Sequence, residues 1–409
     1  SMRQTKLNLL LSATRTAGTL IILLMPIFAP DAHAQVRLGQ SCALSGPTAF
    51  LGKEMSRGAK AYFDHHAKAV SLELADDRYE PERCVRNTER FLKEGVTALF
   101  GYVGTPTAKV ALPLAMAKKK LFFGALTGAD FLSDTERNPY SFSLRASYDA
   151  EIENMVRHLK KDLGISKIAL FVQRDAFGLA GIRGALRAVD AVGGVSIVPG
   201  IPEIPKRGAS PEKWDAFWEA VPNYRRNTVS VGRDARKISG RRGEVEAVIL
   251  VGAYRACAAA IHLWKNQNFN AVFLNLSFVG ARALAESLDG DGTRLFISQV
   301  VPDPWNPRLP VVREYQAAVG DGFGFVSLEG YIAAKIMHHG IRKAGSDLSP
   351  AGLKGALESL SGYDVGGVRV SFGAKDHRGS DAVYLTRVRP GTGADRPFVF
   401  EYVDKITRE

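Results

Sequence analysis

Three loops in the first third of the chain combine a hydroxyl with the pattern of a helix start. They are Ser45-Gly46-Pro47-Thr48, Gly104-Thr105-Pro106-Thr107 and Gly124-Ala125-Leu126-Thr127-Gly128, each placed after a short apolar run. Thr105 reads as an N-cap, with Pro106 at the first helical position, where no N–H is needed. A hydroxyl beside free backbone N–H groups suits a carboxylate or another small polar acceptor. Taken singly, each loop reads as a plain cap. Three of them on one sheet edge point to a binding cleft, because ligands of open parallel sheets sit outside the carboxyl ends of the strands. Further along, Asp175-Ala176-Phe177-Gly178, Gly252-Ala253-Tyr254 and Leu276-Ser277-Phe278-Val279-Gly280 would face them with aromatic rings and few charges.

Catalytic patterns are missing. No Gly-x-Ser-x-Gly elbow occurs. Gly46 to Lys53 is one residue too long for a P-loop, and Glu54 stands where Ser or Thr is required. Gly320-Asp321-Gly322-Phe323-Gly324 lacks dinucleotide spacing and follows no strand. His65-His66 and His338-His339 are adjacent pairs, so they project apart on a helix and do not co-ligate as i, i+4 pairs do. Asp76-Asp77 reads as a cap for the helix starting near Pro81, with an acid pair as the alternative. The expectation is binding without catalysis, metal or cofactor.

Strands and helices must position those loops, and they alternate twice. Val36–Gln40, Ser71–Ala75, Ala98–Gly101 and Leu121–Gly124 read as strands, with helices over about 52–67, 81–93 and 106–117. The theme restarts with a helix over 151–163, a strand at Lys167–Val172 and a helix over 180–192. Strands at Ala247–Val251 and Ala271–Leu274 flank a helix over 257–266. Such alternation predicts βαβ units and parallel sheets. Helices over 327–343 and 349–360 come next, and then a hairpin-like end pairs 368–372 with 382–388. The stretch Pro202–Asn223 differs from its surroundings: Trp214, Phe217 and Trp218 would share one face of a short helix. It reads as a helix packed on its own lobe, or else as a mobile flap or docking surface.

At 409 residues the chain is too long for one core, and 46% hydrophobic with 23% charged residues is ordinary globular composition. Disorder, a fibrous chain and a disulfide scaffold are thereby excluded. The net charge of +12 favours anionic partners, but the basic residues are scattered and no nucleic-acid face forms. Arg3, Lys6 and Arg15 precede an apolar run over 19–29 and a small-x-small site at Ala32-His33-Ala34. This reads as a secretory signal over 1–34, its apolar run too short for a comfortable membrane span of about 20 residues, with an uncleaved anchor as the alternative. The mature chain would be periplasmic, where disulfides are allowed. Neighbouring strands could bring Cys42 and Cys84 into a bridge; the alternative is two small buried hydrophobes, as expected for Cys257.

The segments Leu38-Gly39-Gln40, Ala43-Leu44-Ser45-Gly46-Pro47, Asp76-Asp77-x-Tyr79-Glu80-Pro81, Gly101-Tyr102-Val103-Gly104-Thr105-Pro106-Thr107 and Ser327-Leu328-Glu329-Gly330-Tyr331 carry a resemblance. The chain resembles the leucine/isoleucine/valine-binding family of periplasmic solute-binding proteins of ABC importers. That resemblance implies the type I fold: α/β, two Rossmann-like doubly wound lobes with a central ligand cleft that closes by hinge motion. It implies an N-terminal lobe of 36–145 plus 303–370 and a C-terminal lobe of 146–302 plus 371–409. A membrane permease would be the partner, a small molecule the ligand, and a monomer the working state. Thr105 and Thr107 match positions that hold a ligand carboxylate, Thr127 a head-group contact, and Phe177 and Tyr254 aromatic positions. With the loops, the candidate ligand residues are Ser45, Tyr102, Thr105, Thr107, Leu126, Thr127, Phe177, Tyr254, Ser277 and Phe278.

Departures from the family pattern bear on the ligand. Ser277 stands where amino-acid binders place a carboxylate for the ligand ammonium, and Leu51 stands where an aromatic is common. An ammonium closed in without a counter-charge costs several kcal/mol. The expected ligand is therefore largely apolar: an aromatic or aliphatic acid, or a lipid- or sterol-like molecule. A branched-chain amino acid or amide is the runner-up. A sensor that binds a ligand without import is the alternative of another class.

Overall fold

The computed structural model describes residues 36–409, and the signal expected at 1–34 lies outside them. The chain begins with β1 (Val36–Cys42), α1 (Ala49–His66), β2 (Val70–Asp76), α2 (Pro81–Lys93), β3 (Ala98–Phe100), α3 (Thr105–Ala117), β4 (Phe122–Phe123) and β5 (Ser141–Phe142). It continues through α4 (Tyr148–Leu163), β6 (Lys167–Gln173), α5 (Ala176–Val192), β7 (Ser196–Ile197), α6 (Pro211–Ala220), β8 (Asn223–Tyr224), α7 (Gly232–Ser239), β9 (Ala247–Val251) and α8 (Tyr254–Asn266). Then come β10 (Val272–Asn275), α9 (Ala281–Ser287), β11 (Leu295–Gln299), α10 (Pro310–Val319), α11 (Phe325–Ala344) and α12 (Pro350–Glu358). The last strands are β12 (Tyr363–Asp364), β13 (Arg369–Val370), β14 (Tyr384–Gly393) and β15 (Arg396–Tyr402).

Two sheets result, as the alternation predicts. The first runs β2-β1-β3-β4-β5, and the second β15-β14-β11-β10-β9-β6-β7 with β8 also on β6. β1 to β11 pair in parallel, while β14 and β15 add antiparallel. β6 and β9 are buried almost throughout, as strands covered on both faces must be. Strand order reverses between β1 and β3 and again between β6 and β9, so the loops after these strands open a crevice in each sheet. The fold is α/β, with two parallel-sheet lobes.

The chain passes between the sheets three times: from β5 into α4, from β11 into α10, and from α12 and the β12–β13 pair into β14. Helix α11 lies against α1. Their backbones touch because a side chain at Gly58 would meet the Ser327 carbonyl at 1.7 Å and one at Gly330 the Met55 carbonyl at 2.2 Å. That close approach holds Glu329 at the edge of the crevice.

Three local expectations change. The terminal hairpin does not pair 368–372 with 382–388: β13 pairs with β12, and β14 turns at Gly393 to pair with β15. The Cys42–Cys84 bridge is absent. Each thiol is buried and turned to a different carbonyl, Cys42 Sγ to Gly52 (3.8 Å) and Cys84 Sγ to Thr107 (3.6 Å). Burial pushes both thiols up, which suits the small-hydrophobe alternative. Third, Asp76 and Asp77 do not cap α2, whose N-cap is Glu80. Asp76 braces the Ser45 loop, and Asp77 accepts from Ser41 Oγ (2.7 Å) and the Tyr79 N–H (2.8 Å). The 202–223 stretch takes its first reading: α6 packs Phe217 and Trp218 inward, and β8 then joins β6.

Asp77 yields a stability prediction. Burial pushes its carboxyl up to about 6, against about 3.9 unfolded. The folded state therefore holds this proton more tightly. The contribution is complete below pH ~4 and is lost as pH rises through ~6. Asp77→Asn is expected to stabilise the protein by about 1–3 kcal/mol at pH 7.5 and by little at pH 4. Chemical denaturation at the two pH values checks this; a gain that does not depend on pH contradicts it.

Candidate ligand-binding site

The crevice loops bring some predicted residues together and turn others away. Thr105 Oγ1 and Thr127 Oγ1 lie 2.7 Å apart, both fully buried, and Thr127 also accepts the Ala129 N–H at 3.2 Å. Leu126 is buried beside them, bridged to Val103. Thr107 donates back to the carbonyls of Val103 (2.5 Å) and Gly104 (3.1 Å), so its proton is committed to its own helix. Tyr102 does not face the crevice. Its hydroxyl meets Thr88 (2.9 Å) and its ring packs on Phe122 in the separate core under α2 and α3. Ser45 is exposed and tied to Asp76 Oδ2 at 2.5 Å, which makes it part of the loop brace.

From the second sheet, Asp175 caps α5 by accepting the Phe177 N–H (2.9 Å) and thereby fixes the Phe177 ring. Rings then follow one another across the seam. Tyr148 stands 5.2 Å from Phe177, Phe177 4.8 Å from Phe278, and Phe278 5.8 Å from Tyr79 of the first lobe. All four are fully buried, and centroid spacings in this range are attractive beyond area burial alone. Tyr254 reaches across as well: its hydroxyl accepts the Phe50 N–H at 3.3 Å and its ring meets Phe50 edge-on at 5.7 Å.

The expectation that nothing negative waits at Ser277 is overturned. Glu151 of α4 accepts from the Ser277 N–H (2.9 Å) and Ser277 Oγ (3.0 Å) across 126 residues of sequence. Arg145 Nη2 donates to the same Ser277 hydroxyl, and its Nε lies 3.1 Å from Glu329, though not aligned for a hydrogen bond. All three charged groups are buried. Burial pushes Glu151 up even though Arg145 pulls it down, and it pushes Glu329 up as well, with Glu151 adding to the rise. Burial opposes the Arg145 charge, but Glu329 and Glu151 more than offset that. One guanidinium thus serves two carboxylates, Glu329 directly and Glu151 through the Ser277 hydroxyl. Arg145 Nη1 and the Tyr148 hydroxyl make no aligned hydrogen bond among the described residues, although Tyr148 lies close to both Arg145 and Thr127.

Sequence reasoning missed these groups for identifiable reasons. Glu151 in the first turn of a helix looks like ordinary macrodipole complementation. Arg145 sits in a crossover with no periodicity. Glu329 did carry a signal: it is the one charged residue in the run from Phe325 to Ala334.

Contacts between the lobes flank the seam. Arg226 pairs with Glu80 and Asp175, both at 2.9 Å, and Asn227 donates to Glu80 (2.6 Å) and the Arg78 carbonyl (3.0 Å). On the other flank Arg282 lies 3.5 Å from Glu54 and over the Phe50 ring. A cavity of about 230 Å³ lies next to the chain segments of Thr127 and Phe177, lined by Phe131, Tyr148 and Ala176 and by charges of both signs, Lys109, Arg183 and Arg187 with Asp130 and Asp149. A larger hollow of about 680 Å³ lies along 202–217 and shares no residue with the seam.

With this geometry in view, the comparisons with known proteins are specific. Residues 35–394 match the family described as periplasmic binding protein. The Leu/Ile/Val-binding protein BraC3 of Rhizobium johnstonii is 27% identical over 180 residues, which cover 42% of this chain and 48% of that protein. The chain thus spans about half the length of the curated relatives it matches. A solved structure described as a possible leucine/isoleucine/valine-binding protein from Rhodopirellula baltica SH 1 is 34% identical. It superposes with a TM-score of 0.77 over 92% of this chain and 98% of its own. A substrate-binding periplasmic protein from Ralstonia solanacearum is 26% identical, with a TM-score of 0.74 over 90% of this chain and 100% of its own. Two sheets whose crevice loops meet at a buried seam, joined by three crossovers, agree with that match: the chain belongs to the periplasmic binding protein family.

Proposed function

We propose that this chain is the substrate-binding component of an ABC importer in the periplasm, and that its ligand is a small zwitterion with a largely apolar body, of the α-amino acid class. One observation carries the reading: two buried carboxylates, Glu151 and Glu329, share the single guanidinium of Arg145 beside Ser277. A ligand ammonium there would restore charge balance, and the objection to a buried ammonium loses its premise. The Thr105 hydroxyl at the start of α3, with the Thr127 hydroxyl beside it, suits a carboxylate, and the rings of Phe177 and Phe278 suit an apolar side chain. Hinge closure would bury the ligand, and its stronger binding to the closed form would shift the population. The permease would receive it from the closed form.

Calorimetric titration at pH 7.5 tests this. L-leucine and L-phenylalanine are expected to bind about 100-fold more tightly than 4-methylpentanoate and 3-phenylpropanoate, which lack only the ammonium. Equal or tighter binding of the des-amino acids overturns it and favours the second reading, an aromatic or aliphatic acid or a lipid- or sterol-like ligand. The unpartnered Arg145 Nη1 and the four-ring row are the observations on that side.

A further inference from the structure

The turn after β2 places a tyrosine where the ligand seam ends. Arg78 and Tyr79 both take left-handed backbone, with φ of 54° and 59°, a conformation that is unfavourable for non-glycine residues. It is held by side chains: Asp76 accepts the Arg78 N–H at 2.9 Å and Asp77 the Tyr79 N–H at 2.8 Å. The result throws the Tyr79 ring off the sheet edge and into the crevice, where it is fully buried. The ring presses so closely on the loop before Thr105 that a side chain at Gly104 would stand 2.2 Å from it, and Gly104 itself has a φ of +98°. Across the seam the ring faces Phe278 at 5.8 Å. Its hydroxyl accepts from Gln173 Nε2 (3.0 Å), and Gln173 Oε1 in turn accepts from Tyr224 (3.0 Å). A residue wanted only for packing in the first lobe would not need a polar anchor in the second.

We propose that Tyr79 is a specificity-determining residue: its ring closes the far end of the seam between Gly104 and Phe278 and so sets the size of ligand side chain that the closed form accepts. This rests on the ligand reading above, because it takes Thr105 and Phe278 as walls of the site. Removing the ring lengthens the seam by the space of one aromatic side chain. The Tyr79 hydroxyl fixes where the ring stands, and the ring does the excluding. Two variants therefore separate: Tyr79→Phe keeps the wall and loses the anchor, whereas Tyr79→Ala loses the wall.

The test is the ratio of dissociation constants for L-leucine and L-tryptophan, measured by calorimetry on wild type, Tyr79→Phe, Tyr79→Ala and Tyr79→Leu, each first shown to unfold cooperatively. The wild type is expected to prefer leucine. Tyr79→Ala should move the ratio at least tenfold toward tryptophan, Tyr79→Leu should move it the same way, and Tyr79→Phe should keep the wild-type ratio while weakening both ligands. A uniform loss in Tyr79→Ala with an unchanged ratio overturns the proposal, since that is what a merely structural role gives. If the amino acids fail and the des-amino acids bind, the same ratio is read between 4-methylpentanoate and indole-3-propanoate. The size effect is thus judged apart from the head-group reading. A protein that binds neither series removes both.

Discussion

Glu151→Gln is expected to lower the affinity for L-leucine by about 100-fold, as losing one partner of a buried charge pair costs about 2–5 kcal/mol. The same change should leave 4-methylpentanoate binding almost untouched, because that ligand brings no ammonium. Glutamine keeps the shape: its carbonyl oxygen can still accept the Ser277 N–H, and the Ser277 hydroxyl can turn to accept from its amide. Stability should move the other way. Burial raises the Glu151 carboxyl in the folded state, so its stabilising contribution is complete below the unfolded carboxylate range and is lost as pH rises through the raised value. The Gln variant should therefore gain on wild type as pH rises from 5 to 8 in the absence of ligand. Calorimetry with both ligands, together with thermal unfolding across that range, reads all three expectations. Equal losses for leucine and 4-methylpentanoate would assign Glu151 a purely structural role.

Arg145→Met is expected to be the most destabilising of the substitutions considered. Methionine fits the stem but leaves Glu151 and Glu329 buried without a counter-charge, and stranding a buried charge costs about 3–5 kcal/mol. The pH dependence distinguishes this from a packing defect. With the guanidinium gone, both carboxyls rise further, so the variant holds its stability only while they are protonated. The deficit should be small at pH 5 and large at pH 8. Denaturant titrations at the two pH values measure it. A deficit of equal size at both would mean that the Met side chain fits badly, and that the charge itself matters little.

Much of the architecture was legible in local pattern. Apolar runs such as Ile168–Val172 and Ala247–Val251, alternating with amphipathic helices, predicted parallel sheets, because a strand covered on both faces needs a continuous apolar stretch. Thr105 was legible because a hydroxyl at a helix start after a strand has a local signature, although the N-cap is Gly104 and Thr105 is the first helical residue; Thr127 lies in the loop after β4, where no α-helix begins. Phe177, Phe278 and Tyr254 were legible by the same placement. Tyr102 was misplaced because side chains alternate across a strand end: one residue's shift decides between the crevice and the core beneath α2, and β3 spans only three residues. Ser45 was misplaced because Asp76 takes its hydroxyl, an interaction between loops 31 residues apart.

Alone, the order of residues determined the alternation and the strand-end loops, and hence the α/β class, since each depends on neighbours within one or two turns; the kind of protein came from the resemblance of those loop segments to a known family. Only the tertiary structure decided the charge of the seam. Arg145 and Glu151 come from one crossover, Ser277 from a strand end and Glu329 from a distant helix, and nothing in the spacing of the three segments says that they meet. Burial then changes what those groups are: a glutamate that would be an unremarkable helix-start charge in water becomes, beside one shared guanidinium, an unbalanced charge that a cationic ligand would balance.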